Sequence, residues 1–372
     1  MQSNSLPKNG PKLGVGLAGL GFGEKVHLPA LYNSETLLPM AIWHPSKNRL
    51  KECYTRNASL KPYQDWSSLL NDPNIKAVII ATPPEPRFRL ALEALNAGKH
   101  LLLEKPIALK SSEISELQKI ALSKNLSVAV DFEYRAVPLF MQAKKMLDNN
   151  LIGTPWLIKL DWLMSSRADE SREWNWYSQQ ESGGGVIGAL GTHAFDLLHW
   201  FFGPTKNINA ITSTSIKERY NPQTDRAQSV TSEDICLANL ELSDINSNLS
   251  IPVQVALSSI SRNGRGCWLE IYGSNGTLKL GSDNQKDYVH GFALWFAEKN
   301  KALSQIKPDN DFLFEKTWED GRIAPVLRVH KWWAESIISG FPMIPGLIEG
   351  LNSQKVCEKI IESSNSGMNL SL

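Results

Sequence analysis

Residues 13–23 read LGVGLAGLGFG, an apolar run that breaks into glycines at Gly19, Gly21 and Gly23. Such a run fits a β-strand that ends in a glycine turn and passes straight into a helix. A junction of this kind points bare backbone N–H groups and a helix N-terminus at whatever lies above it, which suits an anionic pyrophosphate. The dinucleotide fingerprint places its glycines at the first, third and sixth positions. Here the last glycine falls one residue early and Glu24 holds the sixth position. The strand before and the helix after are what give the motif meaning, so the first expectation is a nucleotide-binding α/β unit.

At 372 residues the chain has room for two domains with sizeable cores. Thirty-nine lysines and arginines stand against 38 acidic residues, a net charge of +1, which gives no electrostatic reason to expect nucleic acid or an anionic membrane as partner. A small-molecule substrate is expected instead. Cys53, Cys236, Cys267 and Cys357 are far apart, with no C-x-x-C and no histidine at ligand spacing, so buried thiols in a cytoplasmic protein and no metal are expected. The first twelve residues form a polar tail without signal-peptide character, and no apolar stretch approaches the ~18 residues that a bilayer requires.

From 13 to 135 short apolar runs alternate with amphipathic stretches, the pattern of a doubly wound parallel sheet covered by helices. Strands are expected at 13–18, 37–43, 76–81, 100–103 and 127–132, and helices around 67–72, 87–98 and 112–125. IKAVIIAT at 75–82 is nearly all apolar, as a central strand covered on both faces must be. From 136 to 372 the rhythm changes. After a helix near 138–149, strands at 154–164, 207–215, 234–242, 252–261, 266–273 and 276–280 follow with few helices between them. They predict a second α/β domain with a mostly antiparallel open sheet for substrate binding and oligomerisation. Ser274-Asn275-Gly276 reads as a hairpin turn, and 217–233 as a polar surface loop. Helices near 325–340 and 346–364 are expected to return, with the option of packing back on the first domain.

Three signals fall at the carboxyl ends of expected parallel strands, the edge where open α/β sheets bind ligands: the glycine turn, Ala81 to Pro84 (ATPP), and Glu104-Lys105-Pro106. With FEYRAVP at 132–138, GGGVIGALGTHAFDLLHWFFG at 183–203, the hairpin LEIYGSNGTLKL and EGLNSQKVCEKIIESSNSG at 349–367, the chain resembles the Gfo/Idh/MocA oxidoreductases. That is the family of glucose-fructose oxidoreductase and inositol dehydrogenase. The resemblance runs over nearly the whole chain. It implies a Rossmann domain at 13–135, a substrate domain after it, and an NAD(P)-dependent dehydrogenase or reductase acting on CH–OH or C=O groups in a cleft between the two.

The cofactor-binding set expected from these segments is Gly19, Gly21, Phe22, Gly23, His44, Ser46, Lys47, Arg49, Thr82, Pro83, Glu104 and Lys105. Sites for NAD usually carry an acid ~20 residues past the glycines to take the ribose hydroxyls. Here the second strand runs into Trp43-His44-Pro45-Ser46-Lys47-Asn48-Arg49, with no acid and two cations. NADP(H) is the expected preference, with NAD(H) as the alternative. His27 matches the family's histidine in the first helical turn and is read as a packing residue.

For catalysis the resemblance implies Lys105 and His193. An ammonium group at a strand end can hydrogen-bond the substrate hydroxyl and stabilise the alkoxide, and an imidazole can exchange its proton. Related dehydrogenases carry D-x-G-x-H at this histidine. Here the segment is Ala189-Leu190-Gly191-Thr192-His193, and the acid is missing. Asp196 is read as a helix anchor.

Substrate contacts are expected from Glu133, Tyr134, Arg135, His193 and the loop carrying Arg167, Trp174, Trp176 and Tyr177. Its aromatic faces and guanidinium groups suit a sugar, polyol or sugar acid. The resemblance further implies a homodimer or homotetramer. Two rival readings stay open: a non-catalytic NADP-binding sensor or partner subunit, and a reductase of a non-sugar substrate such as a tetrapyrrole or cyclic dicarbonyl.

Overall fold

The computed structural model describes residues 12–244, 249–284 and 288–372. Its contacts divide into two compact units. The first comprises residues up to Glu133 together with Lys316–Leu351, and the second comprises Tyr134–Glu315 and Asn352–Leu372.

The first unit is built on six parallel strands: β1 (Leu13–Ala18), β2 (Leu37–Trp43), β3 (Lys61–Tyr63), β4 (Ala77–Ile80), β5 (His100–Leu103) and β6 (Val128–Val130). Their order, β3-β2-β1-β4-β5-β6, is that of a doubly wound sheet with its switch point between β1 and β4. Every residue of β4 is buried, as a strand with helices on both faces requires. Pro84–Asn96 forms the helix after β4. It opens with Pro84 at its first position and stops at Gly98, whose φ of +74° only glycine adopts easily. The expected strands and helices are present within a few residues of their expected limits. β3 and the helix Lys47–Arg56 carried no expectation. Two of the three β3 residues are exposed, so no apolar pattern marks it. The chain re-enters this unit through the helix Ile323–Ser339, where Ile323 and Val326 pack on Val26 and Ala30 and Trp333 is fully buried.

Among its described residues the second unit holds nine strands in one sheet and a separate two-stranded hairpin. The strands are β7 (Pro155–Leu163), β8 (Thr205–Ser213), β9 (Glu218–Asn221), β10 (Arg226–Ser229), β11 (Ile235–Ser243), β12 (Ser250–Ser258), β13 (Gly266–Gly273), β14 (Gly276–Ser282), β15 (Ala293–Glu298), β16 (Ser304–Ile306) and β17 (Leu370–Ser371). The sheet runs β16-β15-β14-β13-β7-β12-β11-β8-β17, antiparallel except where β12 lies parallel to β7. One face packs on Thr192–Phe201 and Pro138–Asp148 through a core that includes Phe140, Trp162, Phe195 and Ile271. The other face leaves Ile211 and Leu237 exposed and directly paired.

The stretch 217–233 corrects an expectation, because it contains the hairpin β9–β10 instead of an irregular loop. Its inward residues, Arg219 and Asn221, are polar. Arg219 donates to the carbonyl oxygens of Arg167 and Asp169, and Asn221 donates to Gln228. Hydrophobic periodicity cannot register a strand whose buried side chains are an arginine and an asparagine.

Candidate active site

The glycine turn after β1 is shaped by backbone proximity. Gly19 has φ +95°, and a Cβ there would stand 2.5 Å from the carbonyl carbon and oxygen of Ala81 at the end of β4. Gly21 is exposed, with no atom within 4 Å of an added Cβ, so the space above it is open. Gly23 lies against Leu17 and Ala81, where a Cβ would meet Leu17 at 3.1 Å. The displaced third glycine has a structural reason. Gly23–His27 is a turn of π-helix, closed by Leu28 N–H donating to Gly23, and it continues into the helix Leu28–Tyr32. The wider turn absorbs the altered spacing. Glu24 turns to Arg56, which donates to it at 2.8 and 2.9 Å, and this hydrogen bond holds the carboxyl below its usual range. The close approach at Gly19, the open space above Gly21 and the helix start behind them fit a dinucleotide pyrophosphate.

Lys105 follows β5 on a backbone held from within. Arg87, buried on the helix after β4, donates to the carbonyls of Glu104 (2.6 Å), Pro106 and Thr82. One guanidinium thus ties the turns after β4 and β5 together, fixing Thr82, Pro83, Glu104 and Lys105 as one edge. Burial holds Arg87 down to about 10.

Behind this edge lies a buried chain of titratable groups. His27 Nε2 is 2.9 Å from Glu104 Oε1 and 3.5 Å from Asp131 Oδ2, and His27 Nδ1 is 3.0 Å from His330 Nε2. His27, Glu104 and Asp131 bring ligand-type atoms within 4.8 Å of one another. The 2.9 Å contact is of hydrogen-bond length. Burial, with Glu104 and Glu133 alongside, pushes Asp131 well above its ordinary value. Burial also works on Glu104, but the hydrogen bond from His27, with Lys105 and Arg87, outweighs it and holds that carboxyl low. Burial and the neighbouring His27 push His330 far down. Burial raises Glu133 to about 8, with the charge of Lys105 pulling the other way.

In the turn after β2, His44 Nδ1 accepts from Ser46 N–H at 3.0 Å, and burial lowers its pKa. Ser46 caps the helix Lys47–Arg56 by accepting from Arg49 N–H at 3.4 Å. Lys47 and Arg49 are exposed, and Arg49 reaches Glu52 at 3.5 Å. Phe22, half-buried, lies edge-on to His27.

In the second unit His193 sits one residue into the helix Thr192–Phe201, 3% exposed. Tyr134 meets its ring edge-on at 4.8 Å, and Trp162 lies 6.2 Å away. Ala189 lies in a second π-turn, Ile187–Gly191. Arg135 is committed elsewhere: its Nε and Nη2 donate to both oxygens of Asp196 at 2.8 and 2.6 Å, in a buried ion pair. Asp196 therefore braces Arg135. Arg167 lies 3.9 Å over the ring of Tyr177, Trp174 Nε1 donates to Ser229, and Trp176 is 38% exposed.

Sequence reading did not single out Arg87, Asp131, Glu233 or His330. Glu233 accepts from Ile187 N–H at 2.8 Å, at the start of the turn leading to His193. A Cβ at Gly185, φ +97°, would strike its carboxylate, so Gly185 admits the glutamate. VDFE at 130–133, with two acids at the end of an apolar strand, was the one available signal.

Comparison with known proteins defines the class. Residues 13–132 match the model of the oxidoreductase family's NAD-binding Rossmann fold, and 144–372 match its C-terminal alpha/beta domain. The chain belongs to the Gfo/Idh/MocA oxidoreductase family. An uncharacterized oxidoreductase of Synechocystis sp. is 41% identical over 345 residues, 92% of each chain. Levoglucosan dehydrogenase of Pseudarthrobacter phenanthrenivorans is 32% identical over 216 residues, 56% of this chain and 55% of that enzyme. A solved levoglucosan dehydrogenase in complex with NADH and levoglucosan superposes with a TM-score of 0.84 at 23% identity, covering 97% of this chain and 99% of that one. An oxidoreductase domain protein from Kribbella flavida gives 0.85 at 21% identity with coverage of 97% and 99%. The protein is by class an oxidoreductase with an NAD-binding Rossmann domain. No helix among its described residues is long and apolar enough to cross a membrane.

Proposed function

We propose that the protein transfers a hydride between a nicotinamide cofactor and a sugar or polyol, with Lys105 and His193 handling the substrate hydroxyl. The observation that carries this reading is the Arg87 clamp. It sets Lys105 on the same carboxyl edge as Gly19 and Thr82, where a dinucleotide would lie. Bound nicotinamide supplies the redox chemistry. Lys105 donates to the hydroxyl oxygen and stabilises negative charge as it develops there, and His193 offers an imidazole for the proton. Levoglucosan dehydrogenase supports a sugar as substrate, as does the Arg167–Tyr177 stack. Monitoring NADPH or NADH absorbance during a screen of sugars, inositols and cyclic carbonyls tests the reading. Lys105→Ala should lower turnover about 10²–10⁴-fold, far more than it lowers cofactor affinity. A Lys105→Ala protein with wild-type turnover removes Lys105 from the chemistry.

A preference for NADP(H) extends this reading. The turn after β2 contains no acid and exposes Lys47 and Arg49, two cations for a 2'-phosphate, whereas its hydroxyl, Ser46, is occupied as a helix cap. Fluorescence titration should show tighter binding of NADPH than NADH, and the reverse order overturns the preference. Self-association as a dimer or tetramer is supported by the exposed Ile211–Leu237 pair on the open sheet face. Light scattering at micromolar concentration would test it, and a monomer would refute it.

A further inference from the structure

Three arginines gather beyond the end of β7, and among the described residues none of them pairs with a carboxylate. Arg219, buried on β9, donates from Nη2 to the carbonyl of Arg167 at 2.7 Å and from Nη1 to those of Asp169 and Arg172 at 2.7 and 3.4 Å. One guanidinium therefore curls the loop 167–172 around itself and spends its donors on backbone. Arg167 extends from that loop, half-buried, with its guanidinium carbon 3.9 Å from the centre of the Tyr177 ring. Among the described residues neither Arg167 nor the exposed Arg172 has an ion pair or a side-chain hydrogen bond. The two acids of the loop are engaged elsewhere. Asp169 accepts from Ser171 N–H and Oγ at 2.9 and 2.7 Å, and Glu170 lies 3.8 Å from Arg262, both exposed.

A series of backbone hydrogen bonds carries this loop to the segment that bears His193. Arg167 N–H donates to Ser259 at 2.8 Å, Ser259 N–H to Asp234 at 3.0 Å, and Val186 N–H to Glu233 at 2.9 Å. The turn Ile187–Gly191 follows directly and leads into the helix of His193. Tyr177 lies against the same segment, because a Cβ at Gly184 would stand 2.2 Å from its carbonyl oxygen. A guanidinium drawn partly out of water without a counter-charge is costly. Burial, then the like charges of Arg172 and Arg219, lower the pKa of Arg167 against the pull of Tyr177. Stacking occupies a face of the guanidinium and leaves its in-plane N–H donors for a planar acceptor.

Resting on the hydride-transfer reading above, we propose that Arg167 determines specificity and that the substrate is a sugar bearing an oxyanion, a carboxylate or a phosphate. The in-plane donors of Arg167 make two parallel hydrogen bonds to that group, a geometry that carboxylates and phosphates both match. Tyr177 holds the fork in its orientation, and Arg172 adds charge alongside. A neutral sugar leaves those donors to water and binds more weakly. The oxyanion itself is chemically unchanged in the reaction. It anchors one end of the molecule while a carbinol carbon elsewhere on it gives up the hydride.

Calorimetric titration of the protein saturated with reduced cofactor, which suppresses oxidation of the sugar, tests this by binding alone. The probes are glucuronate, galacturonate and glucose 6-phosphate against glucose and galactose, at fixed ionic strength. At least one anion should bind about 10–100-fold more tightly than its neutral parent, and the uronates and the phosphate tell the two oxyanions apart. Arg167→Gln should remove most of that difference and change the affinities of the neutral sugars little. Arg167→Lys, which keeps the charge without the fork, should recover only part of it. A thermal melt without ligand verifies that both variants fold. An anion preference that survives Arg167→Gln, or a panel in which no anion outbinds its neutral parent, overturns the proposal. Wild-type turnover by Lys105→Ala would instead refute the reading of Lys105 and leave the anion site standing.

Discussion

The guanidinium of Arg87 donates a 2.6 Å hydrogen bond to the backbone carbonyl of Glu104, the residue before Lys105, and also holds the carbonyls of Pro106 and Thr82. Three buried acceptors depend on one side chain. Arg87→Met should therefore destabilise the protein by about 3–5 kcal/mol. Arg87→Lys, which keeps the charge but not the fork, should fold with smaller loss yet bind dinucleotide more weakly. Urea denaturation and cofactor fluorescence measure the two effects.

Gly19 and Gly21 should separate folding from binding. Gly19→Ala places a Cβ 2.5 Å from backbone atoms of Ala81 at φ +95°, and should cost about 2–4 kcal/mol of stability. Gly21→Ala meets no neighbour, so stability should change by less than about 0.5 kcal/mol while the dissociation constant for dinucleotide rises. Thermal melts with and without cofactor distinguish them.

Glu233 gives stability a pH dependence. Burial raises its carboxyl from an ordinary 4.5 to about 7, so across that interval the native state holds more protons than the unfolded chain. Its contribution is complete below pH 4.5, declines as pH rises and levels off above about 7. Glu233→Gln keeps an oxygen for Ile187 N–H and removes the titration. At pH 8 it should be more stable than wild type by roughly 1–3 kcal/mol, an advantage that disappears at pH 5. Chemical denaturation at both pH values is the measurement.

The buried pair Arg135–Asp196 should be strongly coupled. Asp196→Asn leaves a guanidinium enclosed without its counter-charge and should cost about 3–5 kcal/mol. Removing both charges in Arg135→Met with Asp196→Leu should cost less than the sum of the single changes, by a double-mutant cycle in urea.

The strands of both sheets could be read from the chain because they carry apolar patterns and their turns carry glycines. β4 is apolar throughout, and Gly19, Gly98 and Gly276 stand where the backbone turns or passes close. The hairpin β9–β10 and the array behind Lys105 escaped notice because polar side chains bury there. Arg219 in a strand, and Asp131 and His330 inside a core, look like surface residues until distant segments are brought together. His330 lies 303 positions from the His27 it touches, and no local pattern reports a hydrogen bond of that span.

The return of residues 316–351 to the first unit fixes an order of events during synthesis. When Glu133 leaves the ribosome, the six strands exist but Val26 and Ala30 still lack Ile323 and Val326, and His27 lacks its imidazole neighbour. The nucleotide-binding unit is therefore completed only after residues 316–351 have emerged. A gene fragment ending at Glu133 should yield an aggregation-prone product, whereas one that splices 316–351 back through a short linker should restore a folded unit.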